Sequence, residues 1–168
     1  MKIHHICGMI VDKYPYINLS LNFPEIDLQL KEEDGKLSVF DSLRKKYLVL
    51  TPEEWVRQHM IQFLTQFKEY PRSLFALEKG LQYNSLQKRF DILILNRHGN
   101  PFLLIECKAP GVSLSQKTLE QVCMYNKTIN AEFIGISNGL KHLFFKFDEN
   151  NFQYMQLSDL PKFTSNKS

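Results

Sequence analysis

Two short apolar segments with charged residues at one shared end constrain the fold of this chain most strongly. Residues 90–95 and 102–108 are rich in Ile, Leu and Phe, and a polar cluster with Gly and Pro, residues 96–101, separates them. This pattern is typical of a β-hairpin. If the loop has four residues, antiparallel pairing sets Asp91 directly opposite Glu106, with Cβ atoms about 5 Å apart. The sequence therefore predicts two carboxylates at one end of an otherwise apolar hairpin.

Lys108 adds a cation to the same end. Side chains alternate along a strand, so Glu106 and Lys108 share a face while Cys107 points the other way. Two carboxylates this close raise each other's pKa unless a cation lies between them. Oxygen ligands at this spacing suit Mg²⁺ or Mn²⁺, which accept one or two carboxylates and a phosphate oxygen. We therefore predict that Asp91 and Glu106 hold a metal and that Lys108 activates water for phosphodiester hydrolysis.

Each of these residues also has an ordinary interpretation. Strand ends emerge into solvent and often carry charge, so a strand that ends in Glu-x-Lys is common, and Asp91 can be a simple edge charge. The combination of an acid at the start of one strand and Glu-x-Lys at the end of its partner is less common. That combination favours a site over the ordinary interpretation.

A helix is predicted to begin beside Thr51. Thr51 supplies an N-cap, Pro52 takes the first helical position, and Glu54 takes the capping-box position. Arg57 follows near the N-terminal end, where it either meets phosphate or is an ordinary solvated residue. The apolar residues expected to pack this helix on a sheet are Trp55, Met60, Ile61, Phe63, Leu64 and Phe67.

A second helix is predicted from about residue 115 to residue 129, after a turn with Pro and Gly at residues 109–111. Gln121 and Tyr125 are four residues apart and therefore share one face of it. One interpretation gives both residues a shared functional role. In the other, Gln121 is an ordinary surface amide and Tyr125 is a partly buried aromatic residue.

These residues resemble a known family. Asp91 and Glu106-Cys107-Lys108 resemble the PD-(D/E)xK nuclease signature, with Phe90 in place of its first proline. The helix at 115–129 resembles the Gln-x-x-x-Tyr motif of the RecB-like branch and of type I restriction subunits. Residues 51–59 are similar to the first core helix of the type I restriction enzyme R-protein N-terminal domain. The similarity covers about residues 36–147.

The resemblance implies a metal-dependent DNA endonuclease. In it, Asp91 and Glu106 hold Mg²⁺ with Glu54 assisting, although Glu53 stays open as the metal-facing acid. Lys108 would activate water. Gln121 and Tyr125 would contact or orient the nucleic-acid strand that is cut.

The resemblance also implies an α+β fold, a restriction-endonuclease-like αβββαβ core in which helices flank a mixed sheet. Segments at 131–137, 141–147 and 152–155 read as its later strands, and residues 74–81 are expected to supply the strand before the hairpin. Glu78 in that strand is either a second acid near the site or an exposed strand charge.

Length and composition agree with one compact domain. The 168 residues are 43% hydrophobic and 23% charged, which is enough to bury a core without disulfides. We assign residues 36–160 to the nuclease-like domain, residues 1–35 to an N-terminal arm packed on it, and residues 161–168 to a tail.

The net charge of +3 is modest, so contact with nucleic acid must come from local clusters. Candidates are residues 44–46, Arg57, Lys88 and Arg89. The cluster at 44–46 reads equally as a solvated face, and Lys88 and Arg89 as hairpin-edge charges that discourage strand pairing.

Cysteine use and the lack of an apolar span favour a cytoplasmic protein without a membrane partner. The three cysteines have no close pairing, and no apolar run is long enough to cross a bilayer. His4, His5 and Cys7 form only a weak zinc pattern. No Gly-rich phosphate loop is present.

Three functions remain open at the level of sequence. The first is the DNA nuclease, acting with other restriction or defence subunits or as a homodimer that pairs two single-metal sites. The alternative is a catalytically weak nucleic-acid-binding or assembly module of the same fold. The third is an RNA-directed nuclease, because nothing in these residues separates DNA from RNA.

Overall fold

The computed structural model describes residues 12–76 and 90–163. These residues form an α+β fold, as predicted, and contain two α-helices and two sheets, of which the three-stranded one was not predicted. The helices are α1 (Pro52–Gln66) and α2 (Gln116–Ile129). The strands are β1 (Leu30–Glu33), β2 (Lys36–Asp41), β3 (Lys46–Val49), β4 (Ile92–Leu95), β5 (Pro101–Cys107), β6 (Phe133–Ser137), β7 (His142–Asp148) and β8 (Gln153–Leu157).

The first sheet is antiparallel, with the order β1-β2-β3. Asp34 and Gly35 both have positive φ angles, of 51° and 69°, which is the geometry of a two-residue hairpin turn. The buried face of this sheet packs on Trp55 of α1. Residues 30–33, expected to belong to an extended arm, are therefore a paired strand, and the expected boundary at residue 35 falls inside its turn.

The second sheet has the order β4-β5-β6-β7-β8 and is mixed. β5 and β6 are parallel, and α2 forms the crossover between them, because parallel neighbours need a long connection. All other neighbours in this sheet are antiparallel.

The predicted β4–β5 hairpin is confirmed, and its loop differs from the prediction. Ile92 pairs with Ile105, which is the expected register. The loop is one residue shorter than predicted, since the amide of Asn96 bonds to the carbonyl of Asn100, and Gly99 adopts a φ of +82°. A bulge beside Leu95 absorbs the difference. The register near Asp91 is therefore unchanged.

The strand expected at residues 74–81 falls within the described residues only up to Ala76. Arg72–Leu74 is a 3₁₀ helix, and Phe75 forms an isolated antiparallel bridge with Ile94. The amide of Ala76 also donates to the carbonyl of Leu93. Residues 77–81, including Glu78, lie outside the described residues.

The helices cover opposite faces of the second sheet. Ile92 and Ile105 pack in one cluster with residues of α1, whereas Leu93 and Leu104 pack in another with Val122 of α2. Alternate residues of a strand point to opposite faces, which explains why β4 and residues 101–105 of β5 are apolar on both faces. The prediction of a mixed sheet between helices is confirmed.

A side-chain hydroxyl caps the start of each of these helices, and the cap at Thr51 was predicted. The Thr51 hydroxyl accepts the Glu54 amide at 3.1 Å, and Pro52 is the first residue of α1. The Ser115 hydroxyl caps α2 and accepts the Thr118 amide at 3.4 Å. These caps fix where α1 and α2 begin, and α1 thereby brings Glu53 and Glu54 to the end of the sheet that carries Asp91.

Candidate active site

The hairpin brings Asp91, Glu106 and Lys108 together. Asp91 directly precedes β4, and its carboxylate accepts the backbone amide of Cys107 at 2.7 Å. Lys108 directly follows β5, and its amide donates to the carbonyl of Ser137, which extends the pairing with β6. The Lys108 ammonium lies 2.6 Å from a Glu106 carboxylate oxygen. Two acids and one base therefore meet where β4 begins and β5 ends.

Negative charge exceeds positive charge around Asp91 at this end of the hairpin. Burial and the charge of Glu106 raise the pKa of Asp91 to about 6, even though the Cys107 amide and the cations Lys108 and Arg57 act in the opposite direction. Burial alone would lower the pKa of Lys108, but its hydrogen bond to Glu106 and the nearby acids raise it. One ammonium therefore does not fully compensate the two carboxylates, so a further cation would be stabilised here.

The first turn of α1 adds two more acids. Glu53 is exposed, and its charge contributes to the raised pKa of Lys108. Glu54 is only 16% exposed. Its carboxylate accepts the Arg57 guanidinium at 3.0 and 2.7 Å and the Gln58 amide at 2.8 Å. Glu54 is therefore held by its own helix, whereas Glu53 faces solvent.

Arg57 is buried and is bound by acids on two different elements. Besides Glu54, its guanidinium binds Asp41, at the end of β2, at 2.5 Å. The phosphate contact expected for Arg57 had assumed an exposed side chain, and this side chain is 7% exposed. The two acids raise its pKa, although burial alone would lower it. Arg57 thus connects the first sheet to α1.

Asp41 was missed in the sequence. It is fully buried, and burial alone would raise its pKa, but hydrogen bonds from Arg44 and Arg57 lower it to about 2. The only indication in the sequence was local, because an aspartate often begins a turn. In the structure its carboxylate accepts the amides of Leu43 and Arg44 in this way. Its partnership with Arg57 spans 16 residues and leaves no pattern in the sequence.

A pocket of about 450 Å³ opens beside these groups. It lies between β3, the first turn of α1 and the residues that lead into β4. Asp91 lines this pocket together with Glu53 and Glu54 of α1. The lining residues are Arg44, Leu48, Val49, Thr51, Glu53, Glu54, Arg57, Phe90 and Asp91.

The carboxylates at this site suit a divalent cation that has one or two protein ligands and several waters, and not one that is held by protein ligands alone. Within residues 12–76 and 90–163, no group of three or more His, Cys, Asp and Glu side chains could hold a metal. The expected set of Asp91, Glu106 and Glu54 therefore does not form such a group, and the carboxylate of Glu54 is turned to Arg57. Asp91 and Glu106 still suit Mg²⁺, which commonly takes one or two carboxylates and keeps several waters.

Gln121 and Tyr125 share a face of α2, as expected. The Gln121 amide lies 3.5 Å from the Tyr125 hydroxyl, and Gln121 is exposed. α2 packs against β5 and β6, so this face belongs to the helix beside the strand that carries Glu106.

Several expected residues lie outside the part of the chain that the structure describes. These are Lys88 and Arg89, which were expected to contact nucleic acid, together with His4, His5 and Cys7 of the weak zinc pattern. The prediction for Lys88 and Arg89 stays a prediction.

Comparison with known proteins gives one finding. Residues 52–161 match the family described as type I restriction enzyme R protein N terminus (HSDR_N). No curated protein and no solved structure gave a match. Within the described residues, neither helix has the length and apolar character needed to cross a membrane.

Proposed function

The chain belongs to the type I restriction enzyme R protein N-terminal family, and from this premise we propose that it is a metal-dependent nuclease that hydrolyses DNA phosphodiester bonds. The observation that carries the proposal is the meeting of Asp91, Glu106 and Lys108 at one end of the β4–β5 hairpin. This arrangement resembles the PD-(D/E)xK type, and that resemblance supports the proposal. It supplies two oxygen ligands and one positioned ammonium.

Asp91 and Glu106 would hold Mg²⁺ or Mn²⁺. When bound, the cation would neutralise a phosphate oxygen and lower the pKa of an attacking water. The Cys107 amide fixes one oxygen of Asp91 and leaves the other available. Lys108, which Glu106 orients at 2.6 Å, would donate a hydrogen bond to the water or to the phosphate as negative charge develops.

The remaining groups would bind DNA or shape the site. Gln121 and Tyr125 present adjacent polar groups for the sugar-phosphate backbone, and Lys88 and Arg89 would add positive charge where the chain enters β4. Arg57 has two carboxylate partners in a buried position, which favours action on the acids over contact with phosphate. Restriction or defence subunits, or a second copy of the chain, would be its protein partners.

A catalytically weak nucleic-acid-binding or assembly module is the second candidate. It is favoured by the lack of a three-ligand metal group within residues 12–76 and 90–163. The intact Asp91, Glu106 and Lys108 favour the nuclease instead, since a binding module gains nothing from clustering charges that repel.

A cleavage panel tests the proposal. Linear, circular and single-stranded DNA and RNA are incubated with Mg²⁺, Mn²⁺ or EDTA, and wild type is compared with Lys108→Met. We expect metal-dependent DNA cleavage that Lys108→Met lowers on the order of 10²- to 10³-fold. Lys146→Met, which removes a half-exposed lysine of β7, is the matched control and should cut normally. Binding without cleavage by wild type would support the second candidate, and faster cleavage of RNA would change the substrate.

A further inference from the structure

The buried side chain of Asn138 joins two turns beside Lys108. Asn138 directly follows β6 and is only 7% exposed. Its Oδ1 accepts the amides of Leu140 at 3.0 Å and Lys141 at 2.8 Å, and its Nδ2 donates to the carbonyl of Val112 at 2.8 Å. Because two amides donate to Oδ1, these hydrogen bonds determine which end of the side-chain amide is the donor.

Val112 closes the turn that directly follows Lys108. Its amide donates to the carbonyl of Ala109 at 2.9 Å, and a Pro-Gly pair lies between the two residues. This is the hydrogen bond of a β-turn. The turn begins the connection from β5 to α2. Asn138 therefore ties this connection to the end of β6.

The backbone of Lys108 is held from two sides as a result. Its amide donates to the carbonyl of Ser137 at 2.8 Å, and Asn138 holds the turn that follows it. The Lys108 side chain is 24% exposed, and its ammonium pairs with Glu106 at 2.6 Å. A lysine side chain is a flexible four-carbon stem, so its ammonium is placed only as precisely as the backbone that carries it.

The ordinary role of an asparagine in a turn accounts for only part of this arrangement. The Oδ1 of Asn138 closes the turn between β6 and β7 through the amides of Leu140 and Lys141. The bond from Nδ2 to Val112 adds nothing to that turn, and it spans 26 residues of the sequence. It joins the connections that leave β5 and β6, the parallel pair of strands. This second bond is the one that acts on the backbone beside Lys108.

We propose that Asn138 is a positioning residue whose bond to the Val112 carbonyl fixes the turn after Lys108 and thereby holds the Lys108 ammonium on Glu106. The proposal rests on the proposed function, because it concerns the placement of a group that would act in hydrolysis. It extends the site from the β4–β5 hairpin to the end of β6.

Labelling of lysines with acetic anhydride, followed by digestion and mass spectrometry, tests the placement of Lys108 without any need for activity. Asn138→Asp keeps Oδ1 for the turn amides and replaces the donor to Val112 with an oxygen. We expect it to raise the labelling rate of Lys108 about two- to fivefold, the change that corresponds to loss of a partly exposed ion pair. Lys146, a half-exposed lysine of β7, is the internal reference and should be labelled as in wild type.

A neutral variant separates loss of the bond from the added charge. Asn138→Ser keeps an oxygen that can accept the turn amides, cannot reach Val112 and adds no charge. It should raise the labelling of Lys108 as Asn138→Asp does. It also replaces Asn138→Asp if that variant does not fold.

Cleavage kinetics test the consequence for hydrolysis. Asn138→Ser should lower kcat about 10- to 100-fold with KM for DNA within about twofold, since misplacement of a catalytic group by about 1 Å costs on this order. In a Lys108→Met background, Asn138→Ser should have no further effect, because it acts through Lys108. Simple loss of stability would instead lower the activity of both backgrounds alike.

Asn126→Asp is the matched control. Asn126 is also buried, and its side chain likewise binds a turn beside β6: its Nδ2 donates to the carbonyl of Ala131 and its Oδ1 accepts the amide of the same residue, both at 2.8 Å. This turn precedes β6, whereas Lys108 pairs with the end of that strand. Asn126→Asp should therefore lower the melting temperature and leave the labelling of Lys108 unchanged.

The outcomes distinguish this proposal from the nuclease proposal. If wild type cleaves DNA while the Asn138 variants leave the labelling of Lys108 unchanged, the role of Asn138 is overturned and the nuclease stands. Equal labelling changes in Asn126→Asp and Asn138→Asp, or a loss of cleavage that adds to that of Lys108→Met, also overturn it. If wild type cleaves no substrate, the nuclease proposal fails, and the labelling alone decides whether Asn138 positions Lys108.

Discussion

Two neighbouring sets of buried charges behave in opposite ways. Around Asp41, two arginines compensate the carboxylate, and its pKa falls to about 2. Around Asp91, burial and Glu106 outweigh Lys108, and the pKa rises to about 6. The two carboxylates differ in how cations reach them: Arg44 and Arg57 donate hydrogen bonds to Asp41, whereas Lys108 and Arg57 act on Asp91 through their charge and are opposed by Glu106. The Asp41 network is complete within the protein, whereas the Asp91 pair would gain from an added cation.

Breaking the complete network should have the largest effect on stability. Arg57→Ala leaves Asp41 and Glu54 without their shared partner, and removal of one partner from a buried ion pair costs about 3–5 kcal/mol. We expect a loss of this size in the free energy of unfolding, measured by urea denaturation. Lys162→Ala, which breaks an exposed pair with Glu69, should change it by less than about 1 kcal/mol. Similar values for both variants would show that the buried network contributes little.

Acid should weaken the same network. The folded-state pKa of Asp41 lies below its ordinary value of 3.8, so its contribution is fully present above pH 4 and is lost as the pH falls from about 4 to about 2. A shift of this size corresponds to about 2 kcal/mol. The free energy of unfolding, measured with urea at each pH, should fall as the pH drops through this range in wild type and should fall less in Asp41→Asn. The same pH dependence in both proteins would contradict the low pKa of Asp41.

The opposite sign is expected at Asp91. A raised pKa means that ionised Asp91 costs stability at neutral pH, and the cost is relieved as the pH falls through 6 toward 3.8. Asp91→Asn should therefore stabilise the protein in EDTA at pH 7.5 by about 1–2 kcal/mol, a value discounted for partial exposure. Asn keeps an oxygen for the Cys107 amide. A lower unfolding free energy for this variant would show that the pair is not under repulsion.

The hairpin could be predicted because its pattern is redundant. Residues 92–95 and 101–105 are apolar on both faces, and Asp91 and Glu106 mark the same end of the hairpin, so a slip of one residue would separate these two charges. The loop was less predictable, because the left-handed conformation of Gly99 and the bulge at Leu95 depend on local geometry.

The first sheet and its charge network were harder to infer. β1 has one buried residue, Leu30, followed by three exposed charged ones, so its sequence resembles a turn or an arm. Arginine is seldom buried, so Arg57 was expected at the surface. Its buried guanidinium is paired with Asp41, and tertiary packing sets this contact between a strand end and a helix that are 16 residues apart.

Cleavage of plasmid DNA by Asp91→Asn and wild type, at equal concentration with Mg²⁺ and with EDTA, tests the central claim most directly. The claim is that Asp91 and Glu106 form a metal-dependent hydrolytic site at the end of the β4–β5 hairpin. It predicts Mg²⁺-dependent cleavage by wild type and a loss on the order of 10³-fold in Asp91→Asn, with its fold retained by circular dichroism. Asp148→Asn, at the end of β7, should cut like wild type. Equal cleavage by wild type and Asp91→Asn, or cleavage that persists in EDTA, would contradict the claim.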